Sequence, residues 1–243
     1  MESYVRQPGK REKAAYHRGK QSYKKWKQAG VLAGIVTSIL ILGIIYYGFE
    51  INNHGVLGLI SDWKRITPIE SAAEAFPGLT IEEDYLRENP YSRPGIALEK
   101  VDKIVVHYTG NPATTAQANR DYFESLADSG LTYASSHFVI DLDGTILQCI
   151  PLNEISYASN HANSYSISIE CCHPDESGEF TTETYNRCVA LVGELCKYYR
   201  LDPEEDVIRH YDVTGKECPV FYVRHPEEWE AFLDYIKEYI SGK

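Results

Sequence analysis

The chain has 243 residues and a formal net charge of -11, a length that suits one domain plus appendages. The sign is unevenly divided: residues 1–28 carry nine Lys/Arg and two Glu, a net of +7, and the remainder carries 15 basic and 33 acidic residues, a net of -18. So acidic a body excludes nucleic acid as the expected partner.

Residues 1–28 are polar and basic and read as a disordered or loosely helical tail at a membrane surface. From Ala29 to Phe49 no residue is charged, and these 21 residues are enough to cross a bilayer core of about 30 Å as a helix. Tyr46, Tyr47 and Phe49 stand where an interfacial aromatic belt belongs. Lys24, Lys25 and Lys27 crowd the N-terminal flank, so the positive-inside rule puts the tail in the cytoplasm and residues 50–243 outside. A cleaved signal peptide would need a shorter n-region, a shorter apolar run and a small-x-small cleavage site, none of which is present.

Residues 50–96 read as an extracytoplasmic stalk and lead-in, with a short helix over Ser71–Ala75 and breaks at Pro77, Gly78, Pro90, Pro94 and Gly95. A domain is expected over residues 97–243. Lys103–His107 is a predicted strand. Thr114–Asp128 is a predicted helix, with Ala118, Tyr122, Phe123 and Leu126 on its apolar side and Gly130 as its stop. Strands over His137–Leu142 and Thr145–Ile150 join through Asp143-Gly144, a strong hairpin signal. A further strand covers Ser164–Cys172, a helix runs from Thr182 to about Arg200, and Val207-Ile208 forms a short strand. An amphipathic helix covers Glu227–Ile240. The class is α/β or α+β: a mixed central sheet with packed helices. The cysteines Cys149, Cys171, Cys172, Cys188 and Cys196 read as small buried apolar residues, and sequence alone leaves their pairing open.

The remaining cysteine carries chemistry. In Arg209-His210-Tyr211-Asp212-Val213-Thr214-Gly215-Lys216-Glu217-Cys218-Pro219, a histidine and a cysteine stand eight positions apart, with Asp212–Gly215 as a turn between them. Imidazole and thiolate are preferred zinc ligands, and a catalytic zinc takes three protein ligands and keeps a fourth position open. His107, ending the run Ile104-Val105-Val106, is the candidate third ligand; His173 and His225 are competitors. Glu170 ends the apolar strand Ile167-Ser168-Ile169, where a carboxylate is costly unless it faces a wet cleft or a cation.

The segments IVVHYTGNP (104–112), SSHFVIDLDGTILQCIPLNEISYAS (135–159), NSYSISIE (163–170) and IRHYDVTGKECP (208–219) together resemble the zinc-dependent N-acetylmuramoyl-L-alanine amidases of the type-2 family, which share their fold with the peptidoglycan recognition proteins. The resemblance covers a little over half of the chain. It implies a mixed central sheet flanked by helices, with one Zn2+ in a groove at one edge. The implied reaction is hydrolysis of the amide between N-acetylmuramic acid and L-alanine in peptidoglycan. It implies His107, His210 and Cys218 as zinc ligands, Glu170 as general base and acid, and Lys216 as the cation that stabilises the oxyanion. Relatives with a tyrosine at the position of Ser136 lack a glutamate at that of Glu170, and serine cannot do the work of a phenol, so the base falls to Glu170. Ser136, His137 and His161 are expected in the groove as substrate contacts; for His137 a core position is an equal alternative. The competing functions are a non-catalytic membrane-anchored peptidoglycan receptor or scaffold, and hydrolysis of another amide. Receptors on this fold typically lack the cysteine ligand, and Cys218 is present.

Overall fold

The computed structural model describes residues 66–242. The basic tail, the apolar run 29–49 and residues 50–65 lie outside the described residues. Among the described residues no helix is long and apolar enough to cross a membrane.

The apolar runs pair into one six-stranded sheet. Its strands are β1 (Ile81–Glu83), β2 (Lys103–Tyr108), β3 (Phe138–Ile140), β4 (Ile146–Gln148), β5 (Ser166–Cys171) and β6 (Val207–Arg209), in the order β1-β4-β3-β5-β2-β6. Only β3 and β4 are antiparallel; the other neighbours run parallel. The Asp143-Gly144 turn closes that pair: Gly144 takes a φ of +85°, a left-handed value that glycine adopts without steric cost, and Asp143 Oδ1 accepts from Thr145 N at 2.9 Å.

The helices are α1 (Ala72–Ala75), α2 (Ala116–Ser129), α3 (Thr182–Tyr199), α4 (Pro203–Asp206), α5 (His210–Thr214), α6 (Val220–Arg224) and α7 (Pro226–Ser241), with a 3-10 segment η1 at Asn160–Ser164. Thr115 caps α2 by accepting from Ala118 N, and Gly130 stops it in the left-handed region, as hydroxyl N-caps and glycine C-caps do. The buried side of α2 is Ala116, Asn119, Phe123 and Leu126. Ala118 and Tyr122, expected on the apolar side, are exposed instead; the true stripe lies a fraction of a turn away. The expected turn at Asp212–Gly215 is largely helical, because α5 runs to Thr214 before Gly215 ends it.

Alternation along the strands divides the core in two. Ile104, Val106, Ile167 and Ile169 pack with Leu191 and Leu195 of α3 and Phe232 and Ile236 of α7. On the other face Val139 and Leu147 pack with Ala116 and Phe123 of α2 and with Leu86. Each of the Val, Leu, Ile and Phe side chains contributes about 1.5–3 kcal/mol through burial. All six cysteines are buried and free.

The lead-in departs from expectation. Residues 66–96 are not a stalk: they belong to the same compact unit as the rest. β1 adds to the sheet beside β4, and Phe76, Leu79 and Leu86 are buried.

Candidate active site

Three adjacent parallel strands, β5, β2 and β6, end at the same edge of the sheet, the usual place for a site in such sheets. Residues one apart on a strand point to opposite faces. With Ile104, Val106, Ile167 and Ile169 committed to the α3/α7 core, His107 and Glu170 take the other face. The β2–β5 register sets them directly side by side. Val106 pairs with Arg209 across to β6, so His210 begins α5 just beyond the strand end. Arg209 fixes that start: its backbone N–H and guanidinium both donate to Asp212. The loop after α5 is tied back by Tyr211 N donating to Cys218 O at 2.9 Å, which returns Cys218 to the site.

The ligand atoms of His107, His210 and Cys218 all lie within 4.8 Å of one another, and all three residues are buried. His107 Nδ1 is 3.9 Å from Cys218 Sγ and 3.9 Å from Glu170 Oε1. The rings of His107 and His210 have centroids 4.6 Å apart. Zinc bonds of about 2.0–2.3 Å in tetrahedral geometry separate ligand atoms by about 3.5 Å, so small shifts close this set around an ion. The residues fit the metal in chemistry as well. Burial, His210 and Lys216 hold the His107 pKa well below its usual value, and burial and Lys216 lower that of His210, so both rings offer lone pairs at neutral pH. Burial pushes the Cys218 thiol up to about 12, with Glu170 adding to the rise. A bound dication would reverse that and take the sulfur as thiolate.

Glu170 is 19% exposed, and its Oε2 is buried without a hydrogen-bond partner among the described residues. Burial pushes its carboxyl up to about 8, against the pull of Lys216. A fully enclosed oxygen with no donor is costly, and a nearby cation or ligand proton is what relieves it. The residue opens onto a cleft of about 450 Å³ lined by Asn111, Tyr122, Phe123, Ala134 and Lys216. Lys216 is exposed at this cleft.

The structure separates the other candidates from this set. His137 has no solvent exposure: its Nδ1 accepts from Ser168 N at 3.0 Å and its Nε2 lies 2.9 Å from Glu154 O. Ser136 is equally buried, bonded to Ser168 Oγ at 3.1 Å. Neither reaches the cleft as a substrate contact, because both serve the polar seam under β3 and β5. His161 is exposed on η1, outside the ligand cluster. Of the competitors, His173 has its nitrogens on Asp175 O and Thr109 O at 2.7 and 2.8 Å, and exposed His225 bonds Phe221 O at 3.0 Å. Two residues that the sequence did not mark stand against the imidazoles. Ser159 Oγ is 2.9 Å from His107 Nε2, and Asn160 Oδ1 is 3.4 Å from His210 Nε2. Ser159 ends a motif segment (135–159) and Asn160 lies just outside it, and neither residue type signals chemistry.

A type-2 amidase family model, described as N-acetylmuramoyl-L-alanine amidase, matches residues 97–221, a span that contains every residue of the cluster together with Glu170 and Lys216. The chain is similar to the N-acetylmuramoyl-L-alanine amidase BlyA of Bacillus subtilis (strain 168), 35% identical over 179 residues that cover 65% of this chain and 47% of that protein. It is also similar to the N-acetylmuramoyl-L-alanine amidase CwlL of Bacillus licheniformis, 32% identical over 176 residues, 67% of this chain and 48% of that protein. The chain thus spans about half the length of these relatives. Among solved structures, the catalytic domain of XlyA matches with a TM-score of 0.55 and 27% identity, over 65% of this chain and 99% of that one.

Proposed function

The chain belongs to the N-acetylmuramoyl-L-alanine amidase family, and from that premise we propose that it is a zinc-dependent amidase that hydrolyses the bond between N-acetylmuramic acid and L-alanine in peptidoglycan. The observation that carries this is the convergence of His107, His210 and Cys218 beside a carboxylate whose Oε2 lacks a partner. Three protein ligands, with no fourth grouped with them among the described residues, is the pattern of a catalytic rather than a structural zinc. A zinc ion held by these three would supply Lewis-acid polarisation of the scissile carbonyl and activation of water.

The chain's own residues supply the rest. Glu170 accepts a proton from the attacking water and returns it to the departing alanine nitrogen. The water oxygen bonds to the lactyl carbon, the carbon–nitrogen bond breaks, and a carboxylate and a free amine result. Ionised Glu170 is needed at the start, so the cation that lowers its pKa is part of its competence as a base. Lys216, exposed at the same cleft, offers a positive charge to the oxyanion that develops on the carbonyl. The buried Ser136 and His137 have no part in this.

The test uses the full chain in detergent, with its zinc content measured, incubated with purified peptidoglycan. Mass spectrometry should find stem peptides with new L-alanine N-termini, and Glu170→Gln and Cys218→Ser should abolish them. Zinc and wall binding without release would instead make the protein a receptor.

We also propose that residues 29–49 anchor the chain as a single membrane-spanning helix, with residues 1–28 cytoplasmic and the folded domain outside. The support is the uncharged 21-residue run and its basic flank. The chain should stay in the membrane fraction through carbonate washing, and its domain should be digested by protease added outside spheroplasts. Release by carbonate, or protection from protease, would reject this topology.

A further inference from the structure

We propose that Ser159 and Asn160 are positioning residues that hold the two histidine rings by the nitrogens facing away from the metal. The inference rests on the zinc reading of the site. A neutral imidazole has one N–H and one lone pair. A metal takes the lone pair, and the N–H on the far side then needs an acceptor, which fixes the tautomer and the ring.

The geometry meets that need at both rings. His107 turns Nδ1 inward, toward Cys218 Sγ and Glu170 Oε1. Its Nε2 meets Ser159 Oγ at 2.9 Å, a contact buried on both sides. A hydroxyl accepts as well as donates, so Ser159 Oγ takes the Nε2 proton when Nδ1 holds the metal. Asn160 Oδ1 faces His210 Nε2 at 3.4 Å, the long end of the hydrogen-bond range. An amide oxygen only accepts, so Nε2 of His210 must carry the proton, which leaves Nδ1 for the ion. Two consecutive side chains can reach two different rings because the backbone turns sharply between them. Asn160 has a φ of +54°, left-handed backbone that asparagine tolerates better than most residues. The turn is pinned from behind: Asn163 Oδ1 accepts from Ala158 N at 3.2 Å and from Ser159 N at 2.6 Å. Ala162 N closes onto Ser159 O at 3.0 Å. The pair is therefore a rigid clamp on the two rings, built from residues 52 and 50 positions from the histidines they hold.

The experiment is a competition titration of zinc between a chromophoric chelator and the full chain in detergent, wild type against Ser159→Ala, Asn160→Gly and Asn160→Asp. Glycine keeps the left-handed backbone and removes the acceptor; aspartate keeps an acceptor oxygen. Ser159→Ala and Asn160→Gly should each weaken zinc binding by about 10–100-fold. Asn160→Asp should bind within about threefold of wild type or more tightly, since an anionic acceptor strengthens the same contact. The thermal midpoint of each metal-free variant should stay near that of wild type, which a merely structural role would not allow. Zinc affinities of Ser159→Ala and Asn160→Gly within twofold of wild type would overturn the clamp. So would losses matched by an equal fall in metal-free stability, or an Asn160→Asp as weak as the glycine variant. A wild-type chain that takes up no zinc would instead remove the amidase reading beneath it.

Discussion

His137 gives the sharpest quantitative test of the fold around the site. Its neutral ring is specified at both nitrogens: Nδ1 accepts from the backbone N–H of Ser168, so Nε2 carries the proton that goes to Glu154 O. A second proton would have to enter at Nδ1, against a donor, in a position without solvent. Burial accordingly lowers its pKa from 6.5 to about 4. The sign follows directly: the unfolded chain takes up this proton at higher pH than the folded one, so the contribution is fully present above 6.5. It is lost progressively as pH falls toward 4, and is constant below that. At about 1.4 kcal/mol per pKa unit the full loss is about 3 kcal/mol, and by pH 5 about 2 kcal/mol. Against a typical stability of about 5–15 kcal/mol this is a large share. The assay is urea unfolding of wild type and His137→Gln at pH 7 and pH 5, with chelator present throughout. Glutamine offers a neutral acceptor and donor but does not titrate, and the remaining titratable groups cancel in the difference. Wild type should lose about 2 kcal/mol more than the variant between the two pH values. Parallel losses would refute the assignment of His137 as a neutral core residue and reopen its place as a ligand contact.

Three other outcomes follow from the same coordinates. Lys216→Ala should lower kcat on peptidoglycan by about 100-fold, the usual order for losing one oxyanion-stabilising group, while leaving thermal stability unchanged because the side chain is exposed; full activity would return Lys216 to the status of a surface lysine. Gly193→Ala should destabilise the fold by about 1 kcal/mol in chemical denaturation: the added Cβ would lie 2.4 Å from Tyr239 Cδ1, an overpacking cost of about 1–3 kcal/mol, against a helix-propensity gain of about 1 kcal/mol. The ring cannot easily step aside, since its hydroxyl bonds Glu194 at 2.9 Å. Leu86→Ala should cost about 2–5 kcal/mol, because Leu86 is fully buried in the core beside α2; a loss under 1 kcal/mol would mean that the lead-in is only loosely docked.

The metal-ligating types were legible because they are rare and stand in distinctive surroundings: a histidine ending an apolar strand, and a histidine and a cysteine flanking a short turn. What put His107 beside Glu170 was not legible, since it depends on the β2–β5 register between segments 63 positions apart. The same limit hid Ser159 and Asn160, whose residue types announce no chemistry until a ring faces them. His137 and Ser136 were drawn toward the groove by their place in a motif segment. Their polarity has another cause: with Ser156 and Ser168 they form a hydrogen-bonded seam inside the sheet. The lead-in reads as a stalk in the sequence because β1 is three residues long with two exposed glutamates. Its apolar residues sit singly between prolines and glycines, so no periodicity marks them.

One residue of the sheet does mark the docked lead-in. Gln148 is a polar residue in the otherwise apolar strand Ile146–Gln148, followed by Cys149 and Ile150, as Glu170 is in β5. A buried polar group in such a run demands partners from elsewhere. For Gln148 the lead-in supplies two: its Oε1 accepts from Ala72 N at 3.0 Å and its Nε2 donates to Glu70 O at 2.9 Å, while Ile150 O, at 3.1 Å, is local. Its presence therefore implies a chain segment folded along β4, which also covers an edge that would otherwise be left open. Glu170 poses the same demand and the protein leaves it unmet at Oε2. Two identical sequence signals thus part company only in the folded chain. Where the protein satisfies the group, the residue is structural; Glu170, whose Oε1 lies 3.9 Å from His107 Nδ1, stands instead beside the residues proposed to hold the metal.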